Sequence, residues 1–264
     1  MDAGPVIGIV LAMFFILVGN VIEGGHLSSL LNGPAAMIVI GGTVGATVVQ
    51  FPLDTCKNAV NDAIALFKKD GVDAAKIVDE IVDYANRARR EGILCLEKAA
   101  PNASDPFLAK ALLMAVDGAD SNAIRETMEL LIGQQEEHGE DSGKVFEAAG
   151  GYSPTIGIIG AVLGLIHVMG NLSDIGAVGK GIASAFVATI YGVGVANILF
   201  LPFGARIKMK VKDRTKRMEM MLAGVLAIQE GTNPKVVRDR LSCFFPAHGA
   251  KKDGAAGAAA AAPA

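Results

Sequence analysis

Residues 151–205 read GYSPTIGIIGAVLGLIHVMGNLSDIGAVGKGIASAFVATIYGVGVANILFLPFGA. Two apolar runs lie in this stretch, 152–171 and 182–205, joined by 172–181. Each has about 20 residues or more, which at ~1.5 Å rise per residue crosses a ~30 Å hydrocarbon core. Neither run contains Asp, Glu, Lys or Arg. Gly157, Gly160, Ala161 and Gly164 punctuate the first run; Ser184, Ala185, Ala188, Gly192, Gly194 and Ala196 punctuate the second. Gly160 and Gly164 stand four apart on one helix face, as do Ala188 and Gly192. That spacing lets helix backbones approach closely in lipid and predicts a packed pair of spans.

Other residues go beyond packing. Thr155 follows Pro154 at the start of the first run, and Thr189, Tyr191 and Asn197 put polar atoms inside the second. Pro202 removes a backbone donor near the end and frees a carbonyl. Such hydroxyls and carbonyls suit a hydrated path. A proton or cation path normally needs an acidic group, and neither run supplies one. The pair therefore reads as half of an ion site, with the acid expected from a partner. His167 is ionisable but lies towards the outer end of its run, where an imidazole reaches interfacial water.

Working outward, 5–22 and 33–51 are two further apolar runs, the second ended by Pro52. The start, Met-Asp-Ala, lacks the basic residue of a signal peptide. The chain then turns polar for 53–150, returns to the hairpin, and closes with a polar region. With 52% hydrophobic and 19% charged residues, the composition is too apolar for an ordinary soluble domain. The net charge of −3 lacks the basic surplus of a nucleic-acid binder. Cys56, Cys95 and Cys243 are scattered and form neither a disulfide framework nor a metal-ligand spacing. No nucleophile–base arrangement, phosphate loop or cofactor motif stands out, so no enzyme is expected.

Lys and Arg set the orientation. Residues 53–150 carry eleven of them and 206–264 carry twelve; 23–31 carries none and 172–181 only Lys180. Both large polar regions, and with them both termini, are thus expected in the cytoplasm. The expected fold is an all-α membrane protein: spans one and two within 4–52, a cytoplasmic helical insert 53–150, spans three and four within 151–205 lining the ion path, cytoplasmic helices 206–245, and a disordered Ala/Gly-rich tail 246–264. In the insert, Asp54 is expected to cap a helix to about Lys69. Asp73 should cap a second, with Ile77, Ile81, Val82 and Ala85 inward. Asp105-Pro106 should open a third to Val116, and Ser121 a fourth that runs on towards span three. Beyond the fourth span a basic helix should continue to about Gln229, its cations against anionic lipid heads. Asn233-Pro234 should cap a last helix to about Phe244. Arg87, Arg89, Arg90, Glu91 and Glu97 read either as a solvated helix end or as an electrostatic patch for a cytoplasmic partner.

The segments PTIGIIGAVLGLI at 154–166, AFVATIYG at 185–192, GVLAIQEGTNP at 224–234 and RREGILCLE at 89–97 resemble the MotA/TolQ/ExbB family of proton-channel subunits. The likeness covers roughly 1–245, and the four-span plan is similar to MotA-type stators of the bacterial flagellar motor rather than to three-span TolQ/ExbB energisers. The resemblance implies an inner-membrane homopentamer around single-span, peptidoglycan-binding MotB-type helices. Those helices bring the proton-binding aspartate, and the ring pushes the rotor protein FliG. By motif match it places Thr155, Ala161, Phe186 and Thr189 on the ion pathway, Pro154 and Pro202 as hinge prolines, and Arg89, Arg90 and Glu97 at the rotor contact. Lys98 stands where some relatives carry a second acid. Sodium-driven relatives carry threonines where this chain has Ala161 and Ala188, so the resemblance implies proton coupling. The alternative is a TolQ/ExbB-type energiser of envelope processes.

Overall fold

A computed structural model describes residues 3–68, 73–170 and 174–244. The expected tail 246–264 lies outside them. Among the described residues every regular element is helical. Four stretches are long and apolar enough to cross a membrane: Gly4–Ile22, Leu27–Gln50, Ser121–Met169 and Ile175–Gln229. The chain is an all-α, multi-pass membrane protein with a large helical region between its second and third spans.

The described residues fold as two units, one within 1–71 and 133–215, the other within 72–132 and 216–264. The first holds the apolar spans. α1 (Gly4–Ile22) has no buried residue within the chain. The second span is broken into α2 (Gly33–Ala36), a π turn (Met37–Gly41) and α3 (Gly42–Gln50). Thr43 and Thr47 are buried there and donate to the carbonyls four residues back, at 2.6 and 2.8 Å. This satisfies both hydroxyls in an apolar setting. α4 (Leu53–Ala65) follows Pro52, which sits at the N-cap; Asp54 makes no cap bond and stands in the first turn. A carboxylate there still favours the helix through the macrodipole. The helix stops at Ala65 rather than near Lys69, which lies outside the described residues. α4 is tied to the long α7 (Ser121–Met169): the Ser142 hydroxyl donates to Asp62 Oδ2 at 2.6 Å, with His138 Nε2 3.4 Å from the same oxygen.

The expected linker 172–181 is shorter than its composition suggests. α8 (Ile175–Val195) begins at Asp174, whose Oδ1 accepts from the amides of Gly176 and Ala177 at 2.9 and 3.1 Å. That Asx cap opens the helix within the segment expected to join the two runs. A second π turn, Ala196–Phe200, leads into α9 (Leu201–Gln229), with Pro202 just inside it. Proline at 202 cannot donate to the carbonyl of Ile198 and its ring crowds that carbonyl; a widened turn relieves the clash.

The second unit is a helical bundle. α5 (Ala74–Glu91) is capped by Asp73, and α6 (Pro106–Val116) by Asp105, whose Oδ1 accepts from the Phe107 amide at 2.9 Å. Ile77 and Ile81 of α5, Leu108 and Leu112 of α6, Ile124 and Met128 of α7, Met220 and Met221 of α9, and Leu241 of α10 (Pro234–Ser242) share one buried core. α7 starts at Ser121 as expected, and Asp120 caps it, accepting from Asn122 and Ala123 at 2.9 and 2.8 Å. Ser121 donates to Gln229 Oε1 at 2.9 Å.

Candidate functional site

The α7–α8 pair is built on a seam of small residues. A Cβ placed on Gly157 would lie 3.0 Å from the Ala188 carbonyl oxygen and 3.2 Å from Gly192 Cα. On Gly160 it would meet Ala188 Cβ at 2.9 Å, and on Gly164 Ala185 Cβ at 3.1 Å. Ser153, fully buried, donates to the Gly192 carbonyl at 2.9 Å. The close approach that the spacing predicts is therefore present.

Opposite this seam each helix keeps an apolar stripe that the chain itself does not cover. On α8 and the π turn that continues it, Ala185, Ala188, Gly192 and Ala196 are buried, while Phe186, Ile190, Val193 and Asn197 are exposed at intervals of four, three and four. On α7, Thr155, Ile158, Val162 and Ile166 are exposed. Thr155 and Phe186 thus lie on uncovered faces, whereas Ala161 and Thr189 are half-buried. The Thr155 hydroxyl donates to the Tyr152 carbonyl at 2.7 Å. Among the described residues no hydrogen bond engages the Thr189 hydroxyl. Asn197 Nδ2 donates to the Val193 carbonyl at 2.9 Å.

Tyr191 is tied to the start of the second span. Its hydroxyl donates to the Leu30 carbonyl and accepts from the Asn32 amide at 3.1 Å. Asn32 also donates from Nδ2 to Ser184 Oγ at 2.6 Å, while its Oδ1 caps α2 through the Ala35 amide at 3.1 Å. This clasp joins the start of the second span to α8. Sequence reasoning missed it, though an Asn before Gly-Pro at a span's edge is a cap signal.

Pro154 lies inside α7 and Pro202 inside α9. Each lacks the amide proton that would bond the carbonyl four residues back. These turns border the seam residue Ser153 and the second π turn.

In the second unit, α5 ends at Gly92, whose φ of +81° only glycine adopts without strain. Arg89 and Arg90 occupy the last turn, where cations complement the helix dipole. A 3₁₀ turn, Ile93–Leu96, buries Leu96 and leaves Glu97 exposed. Arg89 and Arg90 line an open cavity of about 660 Å³ with Asn86, Asn233, Lys235 and Arg238; Glu97 does not line it. The structure thus joins to the two arginines cations of α10 that lie far from them in the sequence. Burial raises the Cys95 thiol pKa, assisted by Glu91.

Residues 6–92 match the motility protein A N-terminal family and 99–220 the MotA/TolQ/ExbB proton channel family. Motility protein A of Bacillus subtilis is 36% identical over 248 residues, 94% of this chain and 92% of that protein. The C. jejuni MotAB structure matches with a TM-score of 0.90 at 31% identity, covering 94% of this chain and 97% of that one. The flagellar MotAB stator complex from Bacillus subtilis matches with a TM-score of 0.85 at 36% identity, covering 92% and 96%. The hairpin with its two acid-free apolar runs, the four spans and the helical insert are therefore those of a chain that belongs to the MotA/TolQ/ExbB proton channel family.

Proposed function

We propose that this chain is a stator subunit of a bacterial flagellar motor, which with a MotB-type partner forms a proton channel that converts ion flow into torque. The observation that carries this reading is the α7–α8 hairpin: tightly seamed, uncovered on its outer face, holding hydroxyls but no carboxylate in its apolar runs. A ring of such hairpins needs an acid from elsewhere, and a single-span partner brings it. Relatives named motility protein A, the PomA relative of Vibrio alginolyticus and the MotAB stator structures support the same role. The chain acts as a channel and transmission part rather than as a catalyst.

In this reading Thr155, Ala161, Phe186 and Thr189 face the partner helices, and Pro154 and Pro202 let the spans flex as protons pass. The Lys/Arg-rich regions 53–150 and 206–245 lie in the cytoplasm with both termini, where Arg89, Arg90 and Glu97 engage the rotor protein FliG. The test is deletion of the chain in its host. A stator role predicts cells with assembled but non-rotating flagella, restored by the chain together with its partner. An envelope energiser of the TolQ/ExbB type predicts swimming cells with defective envelopes instead.

A further inference from the structure

We propose that α10 completes the surface that grips the rotor: the cavity between the end of α5 and the start of α10 takes a carboxylate-bearing segment of the rotor, held by Lys235 and Arg238 as well as by Arg89 and Arg90. This rests on the reading of Arg89 and Arg90 as rotor contacts. The four cations line one open cavity of about 660 Å³, no carboxylate among the described residues lines it, and all four side chains are exposed. Among the described residues only Arg238 of the four has an ion-pair partner, Asp79 at 2.7 Å, and that pair is itself half-exposed. Like charges gathered this way raise the local potential and steer an acidic partner. Arginine forks then grip carboxylates in two-pronged fashion.

The cavity is less suited to a bound phosphate. Phosphate sites at helix starts use free backbone amides. Here Pro234 has none, and the Lys235 amide already donates to Asn233 Oδ1 at 3.0 Å. The cationic groups are side-chain ends spread over two helices, an arrangement that meets acidic residues on an arriving protein surface.

The test is stall torque per incorporated stator unit, measured on tethered beads in motile cells carrying the complete stator complex. Lys235→Glu with Arg238→Glu reverses the α10 charges. Asp79→Arg with Arg238→Asp keeps the ion pair that holds α10 to α5 but turns the cavity side acidic. Both are expected to lower torque at least threefold without changing proton flux through the complex. Replacing the matching acidic residues of the rotor by lysine should restore it. If Arg89→Glu with Arg90→Glu lowers torque while both α10 variants keep it, the proposal is overturned and the rotor reading stands. If the α5 variant also keeps full torque, the rotor reading falls, and the proposal with it. Torque loss that no rotor reversal repairs overturns the proposal as well. So does binding of inorganic phosphate or ATP to the purified complex that disappears in the α10 variants, which would assign the cavity to a phosphate ligand.

Discussion

Ser153 donates its hydroxyl proton to the carbonyl of Gly192 at 2.9 Å, and a Cβ on Gly192 would stand 2.6 Å from the Ser153 carbonyl oxygen. One contact therefore both satisfies a buried hydroxyl and sets how near the third and fourth spans come. In an apolar surrounding such a polar link is worth about 0.6–2 kcal/mol, and the close packing of backbones adds dispersion contacts.

Gly192→Ala should push α7 and α8 apart, since the added methyl also meets Gly157 Cα at 3.0 Å. Overpacking of this kind costs about 1–3 kcal/mol. Thermal melting of the detergent-solubilised stator complex should fall by several degrees. Gly133→Ala, on an exposed stretch of α7 with nothing within 4 Å of the new methyl, should leave melting unchanged or raise it slightly.

Thr189→Val should lower proton conduction more than Thr155→Val. The Thr155 hydroxyl is already engaged with the Tyr152 carbonyl, and the Thr189 hydroxyl remains available to a neighbouring carboxylate or water. A loss about tenfold or greater at Thr189, against less than threefold at Thr155, corresponds to a hydrogen bond of about 1.4 kcal/mol or more. Sodium removal at fixed proton-motive force should leave swimming speed unchanged, because Ala161 and Ala188 offer no side-chain oxygen to replace the hydration shell of a sodium ion.

Asn32→Ala should loosen the second span from α8. It removes the α2 cap and the bond to Ser184, while Tyr191 keeps both of its partners, the Leu30 carbonyl and the backbone amide of residue 32. A lost cap costs about 0.5–2 kcal/mol. Assembled complex recovered from membranes should drop, with Asn32→Asp recovering part of it through the retained cap acceptor.

Much of this architecture is written in hydrophobic length and charge placement. Runs of about 20 residues without charges fix spans whatever their detailed packing, and Asp73 and Asp105 announced their helices through a local hydrogen bond. Asp54 misled because Pro52 fixes the helix start by backbone restriction, which a cap rule does not weigh. The π turns at Met37–Gly41 and Ala196–Phe200 left no composition signal, since each inserts one residue into an otherwise helical pattern. The Asn32 clasp and the meeting of Arg89 with Arg238 join residues far apart in the chain. Only the folded chain shows such pairings.

Tyr84 gives a pH signature outside the spans. Burial first, and then its 2.8 Å hydrogen bond to Glu80, hold the phenol pKa well above its ordinary value of 10.0. A raised folded pKa favours the protonated form, so this contribution is fully present below pH 10 and fades as pH rises through the folded value. Tyr84→Phe should cost about 1 kcal/mol at neutral pH. It should also flatten the alkaline loss of stability in chemical denaturation.

The most direct test of the account is proton flux in liposomes under an imposed pH gradient, with the chain reconstituted alone and with its single-span partner. Because the apolar runs of α7 and α8 contain no carboxylate, the chain alone should conduct no faster than protein-free vesicles. The complex should conduct, and replacing the partner's intramembrane aspartate by asparagine should abolish that flux. Rapid proton flux through the chain alone would contradict the account.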